Sequence, residues 1–178
     1  MLEMTVAMMI LFVGLLATAS AISYAMLVTN RGKNVTNAKF LVTSVLEQME
    51  TLRNTKQLTF GQIANTGNVD NSNASYTFAG FSTGPQPVSS QPGPDGIFGT
   101  ADDLTTPGAD GIYGTSDDVT NDQSVVIPGY SRTITITSLD DGLKKITVTL
   151  TYSGPAGDEQ TLSASSYLNN DAGSNYLP

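Results

Sequence analysis

From residue 4 to residue 30 the chain carries no charged side chain. The run opens Met4-Thr5-Val6-Ala7-Met8-Met9-Ile10-Leu11-Phe12-Val13-Gly14-Leu15-Leu16 and stays apolar or small to Val28. As a helix, residues 4–28 span about 37 Å at about 1.5 Å per residue, enough to cross a hydrocarbon core of about 30 Å. A cleaved signal peptide would begin with a basic residue, be shorter in its apolar part and end in a small-residue cleavage site. Here the stretch is longer and is preceded by an acid, Glu3. A carboxylate at membrane depth costs about 2.5–3.5 kcal/mol and needs a partner. At a helix start the dipole favours it by about 0.3–1 kcal/mol. On pattern alone both readings of Glu3 stand. Arg31, Lys33 and Lys39 follow the run, and the positive-inside rule would place that flank in the cytoplasm. The Gly-, Ser-, Thr- and Asn-rich remainder suits an exported surface protein, and we give that composition the greater weight.

Past Asn30-Arg31-Gly32-Lys33-Asn34 the pattern changes. Ala38, Leu41, Val45, Met49 and Leu52 recur at spacings of three and four, with Lys39, Thr43, Glu47 and Glu50 on other faces. This is the signature of an amphipathic helix lying against something else. If it continues the first segment, one helix of about 75 Å runs from the start to about Leu52. Gly14 and the Ser20/Ser23 region are its weak points. The front half of such a helix cannot be buried within one small domain; it must sit in a membrane or pack against copies of itself.

Glu3, the uncharged run and the amphipathic continuation together resemble the type IV pilin and pseudopilin family, over about the first 52 residues. The resemblance implies a mature chain with a long N-terminal helix and a β-rich head. It also implies processing by a prepilin peptidase, residence in the inner membrane before assembly, and dependence on pilus assembly machinery. It gives Glu3 the role of the family glutamate, which meets the N-terminal amine of a neighbouring subunit during filament assembly. Glu3 stands about two residues nearer the start than the family pattern places it, which leaves the mature N-terminus open.

The residues from 53 to 178 suffice for one modest core. Tyr130-Ser131-Arg132-Thr133-Ile134-Thr135-Ile136-Thr137 and Lys145-Ile146-Thr147-Val148-Thr149-Leu150-Thr151-Tyr152 alternate apolar and polar residues around Asp140-Asp141-Gly142, which predicts a hairpin. Gly154-Pro155-Ala156-Gly157-Asp158 predicts a further turn, and residues 160–168 a third strand. Ser75-Tyr76-Thr77-Phe78-Ala79 is a shorter candidate, and the tail from Asn169 to Pro178 reads as a surface segment. The predicted fold class is therefore α+β. A helix over residues 1–52, apolar at 1–28 and amphipathic at 33–52, carries an antiparallel sheet laid on its amphipathic part.

Residues 85–124 lack a regular apolar period and are long for a loop in a compact domain. They hold a repeat at an offset of fifteen residues: Asp95-Gly96-Ile97-Phe98-Gly99-Thr100-Ala101-Asp102-Asp103-Leu104, then Asp110-Gly111-Ile112-Tyr113-Gly114-Thr115-Ser116-Asp117-Asp118-Val119. Seven aspartates and no lysine or arginine give this loop −7 of the chain's net −8. Asp95, Asp102, Asp103, Asp110, Asp117 and Asp118 are candidate Ca²⁺ ligands, because carboxylates and carbonyls on glycine turns supply the oxygens this ion takes. The EF-hand spacing and closing glutamate are missing. The alternative is a pair of Asp-Gly turns tethered by their apolar residues, with the aspartates solvated.

The chain has no cysteine and no histidine. Disulfides, Cys nucleophiles, Ser-His-Asp triads and His-based metal sites are thereby excluded. No apolar pocket is evident that would tune a carboxylate pair for acid–base catalysis, and the acidic surface disfavours phosphate backbones, so neither an enzyme nor a nucleic-acid binder is expected. The sequence points to the structural subunit of an extracellular type IV pilus-like filament, assembled as a helical homopolymer. Its alternatives are a pseudopilin or minor pilin of a type II secretion or DNA-uptake system, and a membrane-anchored, calcium-dependent adhesin that does not polymerise.

Overall fold

The computed structural model describes residues 2–154 and 157–170. The tail beyond residue 170 and the middle of the turn predicted at 154–158 lie outside the described residues. The α+β arrangement expected from the sequence is the one observed: one long helix followed by a four-stranded antiparallel sheet.

Helix α1 runs unbroken over Leu2–Asn54, 53 residues, or about 80 Å. Gly14 and the Ser20/Ser23 region do not interrupt it. Ser20 and Ser23 donate their hydroxyls to the carbonyls of Leu16 and Ala19, as Thr5, Thr18 and Thr29 do to carbonyls three or four residues back. Each of these five aliphatic hydroxyls is thus satisfied inside the helix. Residues 2–33 touch nothing that buries them. The back half is different: Ala38, Val42, Val45, Met49 and Leu52 are buried. Val42, rather than Leu41, stands at the centre of the stripe, and Leu41 packs at its margin. Lys56, at φ 58°, turns the chain out of the helix in the left-handed conformation.

Strands β1 (Gln86–Ser89), β2 (Val126–Asp140), β3 (Leu143–Ser153) and β4 (Glu159–Asn169) form a sheet in the order β1-β2-β3-β4, each pair antiparallel. The hairpin predicted around Asp140-Asp141-Gly142 joins β2 to β3, with Asp140 Oδ1 accepting from Gly142 N–H at 2.7 Å. Along β3 every second residue is buried: Lys144, Ile146, Val148, Leu150 and Tyr152. That face lies on α1. The helix is fixed near both ends of its packed part. Asn34 donates to the carbonyl of Ser153 at 3.2 Å, and Arg53 to the carbonyl and side chain of Asn169 at 2.9 and 2.8 Å.

The candidate strand at Ser75–Ala79 is not formed. This segment has irregular backbone, and side chains take the place of a neighbouring strand. Asn71 accepts from Phe78 N–H and donates to Phe78 O, while Gln62 donates to Tyr76 O. With its backbone satisfied in this way, the irregular stretch 57–85 still buries Leu58, Ile63, Phe78 and Phe81 in the common core. β1 takes the sheet edge instead, and Pro87, which has no donor to give, is compatible with that place. Beyond β1 the free edge of β2 is closed by a side chain. Asn65 donates to Ile134 O at 2.9 Å and accepts from Ile136 N–H at 2.8 Å.

The two halves of α1 should respond oppositely to the same truncation. Met49→Ala removes a fully buried side chain and is expected to cost about 2–5 kcal/mol. Met9→Ala, at a position 72% exposed, should leave the unfolding transition within about 0.5 kcal/mol. Denaturant titration of the detergent-solubilised chain, followed by tyrosine circular dichroism, checks this; equal losses from the two variants would contradict the burial pattern.

Candidate functional site

Two features stand apart from the folded core: the front half of α1 and the aspartate repeat. Among the described residues α1 is long and apolar enough to cross a membrane. Its side chains lie open on every side, with Leu2, Met9, Phe12 and Tyr24 all more than 60% exposed. Glu3 sits in its first turn, where it complements the helix dipole, and makes no ion pair or side-chain hydrogen bond among the described residues.

Each copy of the repeat folds the same way. Asp95 Oδ1 accepts from Ile97 N–H and Asp110 Oδ1 from Ile112 N–H, both at 2.8 Å. Asp102 Oδ2 lies 3.3 Å from Asp95 N, and Asp117 Oδ2 lies 3.3 Å from Asp110 N. Asp103 Oδ2 accepts from Gly99 N–H at 2.8 Å, and Asp118 Oδ2 from Gly114 N–H at 2.7 Å. Each aspartate therefore closes a short turn on a backbone donor, as side chains of this type do. The unit begins earlier than the Asp-Gly pairs suggest. Pro92-Gly93 and Pro107-Gly108 also recur at fifteen residues, and a Cβ at Gly93 or Gly108 would collide with Asp102 or Asp117.

The surroundings of the two copies differ. The first is sewn into the head. Ile97 belongs to the core, and Gln48 of α1 both donates to Phe98 O and accepts from Phe98 N–H, each at 3.1 Å. Asp103 pairs with Arg132 of β2 at 2.9 Å, with both side chains almost fully buried. Burial pushes the Asp103 carboxyl up, against the pull of its backbone donors and the Arg132 charge, and burial likewise lowers Arg132. The second copy is an excursion from a two-residue bridge, in which Thr106 and Val119 exchange backbone hydrogen bonds. Its Ile112 and Val119 are exposed. Asp118 Oδ1 is buried and has no hydrogen-bond partner among the described residues.

The six candidate calcium ligands are engaged in different ways. Asp103 and Asp118 brace glycine amides, and Asp103 is engaged by Arg132. Asp95 and Asp110 accept from Ile97 and Ile112 N–H, while Asp102 and Asp117 accept from the hydroxyls of Thr100 and Thr115 at 2.6 Å. Thr100 Oγ1 is 2.6 Å from Asp102 Oδ1, 3.0 Å from Ile97 O and 3.1 Å from Asp103 Oδ1. One hydroxyl proton serves three oxygens there. Asp95 is exposed as a residue, yet the loop around its carboxyl desolvates it. Together with the Asp102 and Asp103 charges this pushes it up to about 6, against the Ile97 N–H bond that stabilises the anion. No group of three or more acidic side chains is placed to hold a metal ion among the described residues.

Two buried cations escaped the reading from pattern. Arg132 anchors the repeat. Lys144 donates to Phe60 O at 2.6 Å and Ile63 O at 2.8 Å, holding the irregular stretch against β3. Their signal was parity, since each stands on the strand face that carries Ile134 or Ile146. No family model, no curated protein and no solved structure matches the chain.

Matched substitutions separate the two copies. Asp103→Asn leaves Arg132 buried opposite a neutral group and should cost about 3–5 kcal/mol. Asp118→Asn, in the same local turn but without a cation, should cost less than about 1 kcal/mol. Thermal unfolding of the two variants side by side checks the difference; equal shifts would contradict it.

Proposed function

We propose that this chain is a structural subunit of a type IV pilus-like filament on the cell surface, held in the inner membrane by α1 before it assembles. The observation that carries the reading is the exposed front half of α1. Each large apolar side chain there is worth about 1.5–3 kcal/mol when it leaves water, and nothing among the described residues covers them. A lipid core covers them before assembly, and a bundle of identical helices covers them afterwards. Glu3 meets the N-terminal amine of a neighbour in that bundle. Its value is in register more than stability, because an unpaired carboxylate among apolar helices disfavours every other alignment.

Glu3→Ala is expected to leave the chain in the membrane fraction while filaments on the cell surface fall to a small residue of the unaltered number. Counting fibres by electron microscopy beside membrane immunoblots tests it. Normal fibres from the variant would remove Glu3 from assembly.

We further propose Ca²⁺ as a ligand of the repeat, with Asp95 and Asp102 in the first copy and Asp110 and Asp117 in the second. Supporting this are the crowding of oxygens around Thr100 and the raised Asp95 carboxyl, which is short of positive charge. Protons compete with a cation at such a carboxyl, so calcium affinity should fall as pH drops through about 6. Calorimetry of the full chain in detergent at pH 7 and pH 5 checks this, and the absence of binding heat at millimolar Ca²⁺ at pH 7 would remove the ion.

A further inference from the structure

The repeat is one unit used twice, and only its first use is completed within the chain. In the first copy the carboxylate of Asp103 receives a buried arginine and the apolar residue Ile97 enters the core. In the second, the corresponding Asp118 meets no cation among the described residues, its Oδ2 (the oxygen equivalent to the one Arg132 takes on Asp103) accepting from the Gly114 amide, and the corresponding Ile112 is 61% exposed. A copy that keeps the same turn geometry but lacks both an arginine and an apolar seat presents the half of a contact whose other half the first copy displays. We propose that the second copy docks on a neighbouring copy of this chain, with Asp118 receiving the guanidinium of Arg31 and Ile112 entering the hollow beside it.

The choice of Arg31 follows from the arginines available. The chain has three: Arg31, Arg53 and Arg132. Arg132 is spent on Asp103. Arg53 is held by Asn54 and Asn169 through four hydrogen bonds. Arg31 is exposed and makes no ion pair or side-chain hydrogen bond among the described residues. It also lines a hollow of about 150 Å³ with Leu27, Val35 and Tyr152, where the helix leaves the sheet. A guanidinium beside apolar walls is what Arg132 and the core supply to the first copy. Asp158 shares the rim of this hollow but forms no ion pair with Arg31. Charge favours the same match at longer range. The loop holds −7, while Arg31, Lys33 and Lys39 are all exposed on α1 around the point where it leaves the sheet, so the loop of one subunit is drawn to that part of another.

The proposal rests on the filament reading only for the presence of a neighbour, and its test keeps the two apart. The chain has no cysteine of its own, so two introduced thiols report one contact. Chains carrying Ile112→Cys are co-expressed with differently tagged chains carrying Leu27→Cys, and membranes and sheared fibres are oxidised separately. A disulfide-linked heterodimer is expected in whichever fraction holds assembled chains, with neither single variant giving the same product alone. Asp118→Arg or Arg31→Asp should each lower its yield by about tenfold, and the two changes together, placing the charges in reverse, should restore it. Filaments that form normally without this heterodimer would overturn the contact and leave the filament standing. A heterodimer in membranes of cells that make no fibres would support the contact and count against the filament. Absence of the heterodimer from both fractions, or failure of the reversed pair to restore it, overturns the proposal.

Discussion

The structure depends on a mismatch within one helix. α1 has two halves that obey different rules: residues 38–52 bury one stripe against a sheet, while residues 4–28 are apolar all round and meet no sheet. No rearrangement within a head of this size could cover both. The head is therefore built around the back half alone. Asn34 and Arg53 fix that half against the C-terminal ends of β3 and β4, and the front half leaves it as a rod. The serine and threonine hydroxyls of the rod are bonded to its own carbonyls, which lowers the cost of placing them among apolar groups.

The head meets a second difficulty: much of its length has no regular secondary structure, yet it is packed. Its solution is a set of polar side chains used as substitutes for strands. Gln62, Asn65 and Asn71 satisfy backbone groups that no ladder reaches, and two buried cations on the inner face of the sheet act as fasteners. Lys144 grips the carbonyls of Phe60 and Ile63, and Arg132 grips Asp103. Each is costly to desolvate, and removing either partner leaves a buried group unsatisfied. The reward is that irregular segments acquire fixed positions, the aspartate repeat among them.

What sequence made legible follows the same division. The helix was readable because the absence of charge over residues 4–30 leaves few other structures available, and β2, β3 and β4 because alternation with period two is strong at Ile134, Ile146 and Val148. The irregular stretch was not readable. Leu58, Ile63, Phe78 and Phe81 have no common period, and the Asn and Gln side chains that organise them look like ordinary loop residues. For the same reason Ser75–Ala79 looked like a strand, while the edge strand at Gln86–Ser89, broken by Pro87, did not. On α1 the stripe of Ala38, Val45, Met49 and Leu52 is the expected one, with Val42 in the place given to Leu41, since spacings of three and four from Ala38 admit either. In the repeat, the equivalence of the two copies was plain, but their inequality was not. Nothing local to Asp103 or Asp118 says that an arginine twenty-nine residues on will reach the first and leave the second.

What covers the front half of α1 decides between a filament subunit and a membrane-anchored chain. Electron microscopy of material sheared from cells, with mass spectrometry of the fibre fraction, addresses that most directly. Uniform thin filaments composed mainly of this chain, whose axis is filled by packed helices, are the predicted result. A chain confined to the membrane fraction, single in detergent and absent from every fibre, would contradict it.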